Sequence, residues 1–166
     1  MLEEDEPEVL EKVQAELDVL QETHPELTEK EGDHQLVDTS IWADYVKKVD
    51  GYQATRSWHR YFTPYVAEGY TIEEGVETAP PAQNLLDGCK ALIAFLKDSS
   101  QTDNVYIEEL EKALPGDLPS QRSFALRLVI HLISDMHQPL HTTTLYSAET
   151  PGDYGDRGGD YSPIPL

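Results

Sequence analysis

A lone cysteine, Cys89, excludes any disulfide within the chain, and without a second thiol there is no C-x-x-C pair to hold a metal. A single thiol on an apolar helical stripe is what a small core residue looks like, so it carries no information on compartment. Basic residues are scarce as well: 12 Lys and Arg stand against 32 Asp and Glu, a net charge of −20. That balance argues against a protein that tracks a nucleic-acid backbone with a basic face and gains affinity by counterion release. It leaves room for a metallonuclease, because bound cations supply positive charge where phosphate sits, and much of the acidity lies in the first 34 residues. No apolar run approaches the ~20 residues that span a bilayer. The opening MLEEDEPEVL has neither the basic n-region nor the apolar h-region of a secretory signal. Either the protein is cytosolic or its natural beginning lies upstream, and the second is the expectation. There is no glycine-rich phosphate loop ahead of a helix, no Ser or Cys nucleophile elbow, and no sign of a protein partner.

What is present suits one domain over residues 1–166, since 39% apolar content in a chain of 166 residues is enough for a proper core. Residues 7–22 read as an amphipathic helix with Val9, Leu10, Val13, Leu17 and Leu20 as its stripe. Residues 24–33 read as a loop with His24 and His34 in solvent. A second helix is expected over 36–48, burying Ile41, Trp42, Tyr45, Val46 and Val49. The aromatic run SWHRYFTPY at 57–65 reads as extended, with TPY as a turn. A long connection at 69–82, with room for a short hairpin, precedes helices at 83–98 (stripe Leu85, Leu86, Cys89, Leu92, Ile93, Leu96) and 103–114.

Chemistry concentrates in HLISDMHQPLH, residues 131–141, which closes the most hydrophobic helix, opened by Pro119 or Ser120. An apolar run carrying His131 and Asp135 needs a partner for both, and four residues apart they share one helix face. Pro139 stops the helix, so His141 can swing back toward the same point from another direction, which suits a tetrahedral ion. His137 lies roughly 200° around the helix from Asp135 at 3.6 residues per turn, and reads as a packing or outer-shell histidine. Arg127 falls one turn before the metal face. The plainer reading of His131 and Asp135 is an i, i+4 pair and nothing more; for Asp44 it is a solvated carboxylate paired with Lys47 or Lys48.

The full string, followed by DRGGD at 156–160, resembles the zinc-dependent single-strand nucleases and 3′-nucleotidases of the nuclease S-one and nuclease P-one type. The family's H-x-x-x-D-x-H-Q-P-L-H signature is matched at His131, Asp135, His137, Gln138, Pro139, Leu140 and His141. TSIWADYVKK is similar to the family's S-x-W-A-D stretch, which makes Asp44 a zinc ligand, and Trp58-His59 matches the family's tryptophan-histidine pair, whose histidine binds the same zinc. The resemblance implies an all-α helical bundle of the phospholipase C and nuclease P-one type, with an irregular aromatic segment and a loop-rich C-terminal tail. It implies a centre of three zinc ions hydrolysing phosphate esters of single-stranded DNA, RNA and 3′-nucleotides. Asp44, His59 and His131 would hold one zinc, Asp135 would bridge it to a second, and His141 would belong to the third; Asp44 and Asp135 would be the catalytic carboxylates. It also implies a secreted or lysosome-like setting.

Two departures stand out: Phe62 replaces the family's Asp or Asn three positions after His59, and Asp160 replaces the asparagine of D-x-G-G-N. Arg60 offers a phosphate contact in place of the former. An N-terminal tryptophan and histidine, and a later H-x-x-x-D, have no counterpart, so the expectation is a truncated domain with fewer zinc ions. A phospholipase C-like zinc hydrolase and a non-catalytic helical module are the alternatives.

Overall fold

The computed structural model describes residues 7–32, 34–74, 76, 78–150 and 155–159. The fold is all-α, with a two-stranded parallel ribbon as its one sheet among the described residues. The helices are α1 (Pro7–Thr23), the single turn α2 (Pro25–Thr28), α3 (Gln35–Val46), a 3-10 helix (Gln53–His59), α4 (Leu85–Lys97), α5 (Val105–Ala113), α6 (Leu118–His137) and the single turn α7 (Pro139–Thr142). Strand β1 (Thr63–Val66) precedes α4, and β2 (Thr143–Tyr146) follows α7 directly.

Local chemistry starts these helices where the caps lie. Asn84, Asn104 and Asp117 precede α4, α5 and α6, and each side chain accepts from the backbone N–H three residues on, at 3.0, 3.1 and 3.2 Å. The central element is α6, which packs against α1, α3 and α4. Its Phe124, Leu128 and Leu132 are fully buried, sharing one core with Leu20 of α1, Trp42 and Val46 of α3, and Leu92 and Phe95 of α4. The Trp42 ring meets Phe124 edge-on at 4.8 Å, and its indole N–H donates to the Leu27 carbonyl at 2.8 Å, so a large aromatic is buried with its polar tip satisfied.

Several expectations are corrected. Ile41 is 65% exposed and Tyr45 only half-buried, because the buried face of α3 runs through Gln35, Thr39, Trp42, Ala43 and Val46 at helical spacing and Ile41 points away from it. Val9, expected on the stripe of α1, is 40% exposed. In the expected loop at 24–33, Pro25 starts a helical turn, and His24 sits between Glu26 and Asp117 rather than free in solvent. The aromatic run is not extended throughout: its first part ends the 3-10 helix, while Thr63-Pro64-Tyr65, expected as a turn, lies in β1. No hairpin forms among the described residues of 69–82. The segment after His141, expected as surface loop, begins with β2, whose Thr144 and Tyr146 are buried.

The ribbon is what brings distant pieces of the site together. Thr63 pairs with Thr143 and Val66 with Tyr146 in parallel register, and the Tyr61 N–H donates to the His141 carbonyl at 2.9 Å. The end of the 3-10 helix is thereby clamped to the turn that follows α6. Gly155 and Gly158, both at positive φ, let the 155–159 turn close over this clamp: a Cβ on Gly158 would collide with the Leu140 carbonyl, and one on Gly155 would lie 2.5 Å from the Leu145 carbonyl. Asp156 anchors that turn, its Oδ1 accepting from the Leu145 N–H at 2.7 Å, the Thr144 hydroxyl at 3.1 Å and the Gly158 N–H at 3.1 Å.

Candidate metal centre

Three segments deliver the centre: α3 brings Asp44, the 3-10 helix brings His59 at its last residue, and α6 brings His131 and Asp135 one turn apart. His59 Nδ1 and His131 Nε2 stand 3.0 Å apart, and both meet Asp135 Oδ2, at 2.9 and 3.0 Å. Asp44 Oδ1 lies 3.9 and 4.0 Å from the same two nitrogens. Donor atoms of a tetrahedral ion with bonds of about 2.0–2.1 Å stand roughly 3.3 Å apart, and the observed separations of 2.9 to 4.0 Å straddle that value. Asp44, His59 and His131 each offer one ligand atom within 4.8 Å of the others.

Each imidazole is oriented by what its other nitrogen does. His131 Nδ1–H donates to the Ser40 carbonyl at 2.5 Å, which leaves Nε2 with a lone pair or an exchangeable proton aimed at the cluster. His59 is 1% exposed, and its Nε2 is the buried side-chain atom without a hydrogen-bond partner among the described residues. A ring held inside with one nitrogen unsatisfied loses stability by that burial, while Nδ1 is the nitrogen turned toward Asp135 and His131. His141, on the turn α7, comes back beside Asp135: its Nδ1 lies 3.3 Å from Asp135 Oδ1 and 2.9 Å from the His59 carbonyl. Asp135 therefore uses one oxygen toward His59 and His131 and the other toward His141.

The electrostatics follow from that sharing. Burial pushes Asp135 up, but hydrogen bonds from His131 and His59 and the charges of His131 and His141 outweigh it, and the carboxyl is held far below the ordinary range. His59 and His131 are shifted in opposite directions. Burial lowers His59 despite its bond to Asp135. His131 suffers the same burial, yet Asp135 and the Ser40 carbonyl raise it above the ordinary imidazole value. Asp44, whose side chain is 50% exposed, is pushed up by burial and drawn down further by Lys47, ending below its usual value.

A family model described as S1/P1 Nuclease matches residues 7–164. The chain belongs to the S1/P1 nuclease family. Membership implies a nuclease-type hydrolase with a nucleic-acid substrate, in a family that is zinc-dependent in general. No curated protein and no solved structure matches the chain significantly.

Against that family pattern, some expected roles move. His137 is exposed and bonds only the Ile133 carbonyl of its own helix, at 2.7 Å; it neither packs nor supports the cluster, because it lies on the far side of α6. Arg127 is fully buried in an ion pair with Glu31 at 2.7 Å and belongs to the core rather than to the metal face. Pro139 does not merely stop α6: the helix ends at His137, and Pro139 opens α7, whose turn carries His141. Arg60 lies 5.3 Å from the Phe62 ring and donates to the Arg157 carbonyl at 3.2 Å, so it ties the aromatic segment to the 155–159 turn. Phe62, at φ 21, packs beside Gly158. Asp160 lies outside the described residues.

Sequence reasoning missed two participants. The Ser40 carbonyl carries no sequence signal, since any residue offers one. Lys47 donates to Asp44 Oδ1 at 2.5 Å, a pairing legible from the i, i+3 spacing but read as an alternative to a site rather than as part of one.

Proposed function

We propose that this chain carries a zinc centre that hydrolyses phosphate esters of single-stranded nucleic acid and of 3′-nucleotides. The observation that supports it is the convergence of Asp44 Oδ1, His59 Nδ1, His131 Nε2 and Asp135 Oδ2 from three separate elements, with both imidazoles buried. An imidazole-carboxylate donor set of this kind suits zinc. On this reading Asp44, His59, His131 and Asp135 hold one ion, and Asp135 Oδ1, which lies 3.3 Å from His141 Nδ1, faces a second position.

Bound zinc would supply Lewis acidity toward a phosphoryl oxygen and lower the pKa of a water toward neutrality. The protein's own contribution is orientation. Ser40 fixes the tautomer of His131, and the His59 carbonyl, through His141 Nδ1, does the same for His141. Asp44, ionised and half-exposed, stands where it can accept a hydrogen bond from a water at the mouth and aim that water at phosphorus. The Lys47 ammonium is the cation beside it. With a net charge of −20 the chain attracts phosphate only locally, so binding depends on the centre itself. The whole chain acts as one domain in this reading. A secreted or lysosome-like setting fits the family, and no helix among the described residues is long and apolar enough to cross a membrane.

The test is phosphate release from 3′-AMP and cleavage of single-stranded DNA, with zinc added and with a chelator. Activity that needs zinc, with about one tightly held ion per chain by native mass spectrometry, is the expected result. Chelator-resistant activity, or no zinc held by the chain, would refute it.

A further inference from the structure

One oxygen of the centre is claimed twice. Asp44 Oδ1 is the atom that faces His59 Nδ1 and His131 Nε2, at 3.9 and 4.0 Å. It is also the atom that accepts from Lys47 Nζ, at 2.5 Å. The Lys47 backbone is pinned, its carbonyl accepting from Arg56 Nε at 2.9 Å, so the side chain alone is free to leave. Lys47 and Asp44 side chains are 23% and 50% exposed, which puts the ammonium at the solvent mouth of the cluster and not within it.

The charges around the centre explain why the lysine sits there. Two carboxylates, Asp44 and Asp135, meet at a buried pair of rings, and Lys47 is the ammonium that offsets Asp44. A dication satisfies both carboxylates at once and makes the ammonium surplus. Two cations on one carboxylate oxygen repel each other, and of the two the lysine, on a flexible stem in a part-buried i, i+3 pair, is the one that can swing out toward water.

We propose that Lys47 is a built-in competitor for the metal at Asp44: it neutralises the carboxylate in the metal-free chain and is displaced when zinc enters, leaving its ammonium at the mouth for an anionic ligand. This rests on the zinc reading of the cluster. It makes zinc loading and the availability of a phosphate-binding cation one event, since the ammonium is committed to Asp44 until the metal arrives.

Zinc affinity is measured by competition with a chromophoric chelator for the unaltered chain and for Lys47→Met, which keeps the stem and drops the charge. The variant binds about ten-fold tighter, the size of one charge interaction at a solvated mouth, and the gap narrows in 1 M salt. A second measurement needs no variant: acylation of the Lys47 amine, followed by peptide mass spectrometry, speeds up several-fold with zinc relative to chelator. Lys90, 68% exposed and paired with Asp87 at 3.6 Å, serves as the internal control and does not change. Equal or weaker zinc binding by the Met variant, or a Lys47 acylation rate that zinc leaves unchanged or slows, overturns the inference. Failure of both proteins to bind zinc overturns the zinc reading itself, and this inference with it.

Discussion

Asp135→Asn is the substitution that probes the centre most deeply, because Asp135 is 7% exposed and both of its oxygens are committed. Asparagine keeps the shape but offers one carbonyl oxygen and no charge. It can accept from His59 and His131 or from His141, and whichever is abandoned faces an NH₂ group. A hydrogen bond to a charged group contributes about 1.5–3 kcal/mol, and removing one member of a buried pair destabilises by about 3–5 kcal/mol. For the metal-free chain at pH 5.5 we expect a loss of about 3 kcal/mol, hence a fall in Tm of roughly 6–12 °C for a chain of this size. The pH dependence has a definite sign. Because Asp135 holds His131 above its ordinary value, that share of the stability is complete below ~6.5 and disappears as pH rises through the higher folded value. Because Asp135 is itself held far below the carboxylate range, its share is present above ~3.9 and disappears only as pH falls through the lower folded value. Both shifts describe one interaction, so the variant's deficit is greatest between about pH 4 and 6.5 and shrinks toward pH 9. Thermal unfolding by circular dichroism in chelator, repeated across pH, reads the stability; zinc stoichiometry of the loaded protein reads the metal role and should fall. A Tm within 1 °C of the parent at pH 5.5, with unchanged zinc content, would falsify the hub role of Asp135.

His137→Asn should leave zinc affinity unchanged and stability within about 0.5 kcal/mol, since this exposed ring bonds only its own helix; a ten-fold loss in a zinc titration would place it in the support of the cluster after all. Gly158→Ala should lower stability by about 1–3 kcal/mol, because φ is 70° there and the new Cβ meets the Leu140 carbonyl. Since Leu140 precedes His141, the same variant should also hydrolyse 3′-AMP more slowly, and a parent-like Tm and rate would show that the 155–159 turn does not press on the site.

The all-α class and the helices themselves were written locally. Asn84, Asn104 and Asp117 are short polar caps ahead of apolar periodic runs, and such signals act over a few residues without tertiary help. The candidate ligands were picked from spacing on one helix for His131 and Asp135, from the Pro139 turn for His141, and from family resemblance for Asp44 and His59. Where sequence reading failed, the deciding partner was distant in the chain. Thr63-Pro64-Tyr65 became a strand because Thr143–Tyr146 lay alongside it, and a strand is defined by its neighbour more than by its own propensity. Ile41 faced solvent because α6 chose the other side of α3, a rotation of the helix that its two near-equal apolar faces left open. Arg127 went to Glu31 rather than to the metal face, a pairing across 96 residues.

The sequence by itself determined which residue types could bind a metal and which helices would carry them. Tertiary structure alone decided which atoms meet: that His131 turns Nε2 inward because the Ser40 carbonyl holds Nδ1, that Asp135 splits its oxygens between two sets of histidines, and that Lys47 takes the oxygen facing the cluster. The physical reason is range. Caps and periodicity act through bonds three or four residues apart, whereas the chemistry of a metal centre depends on sub-ångström placement of atoms that only the packing of α3, α6 and the 3-10 helix brings together.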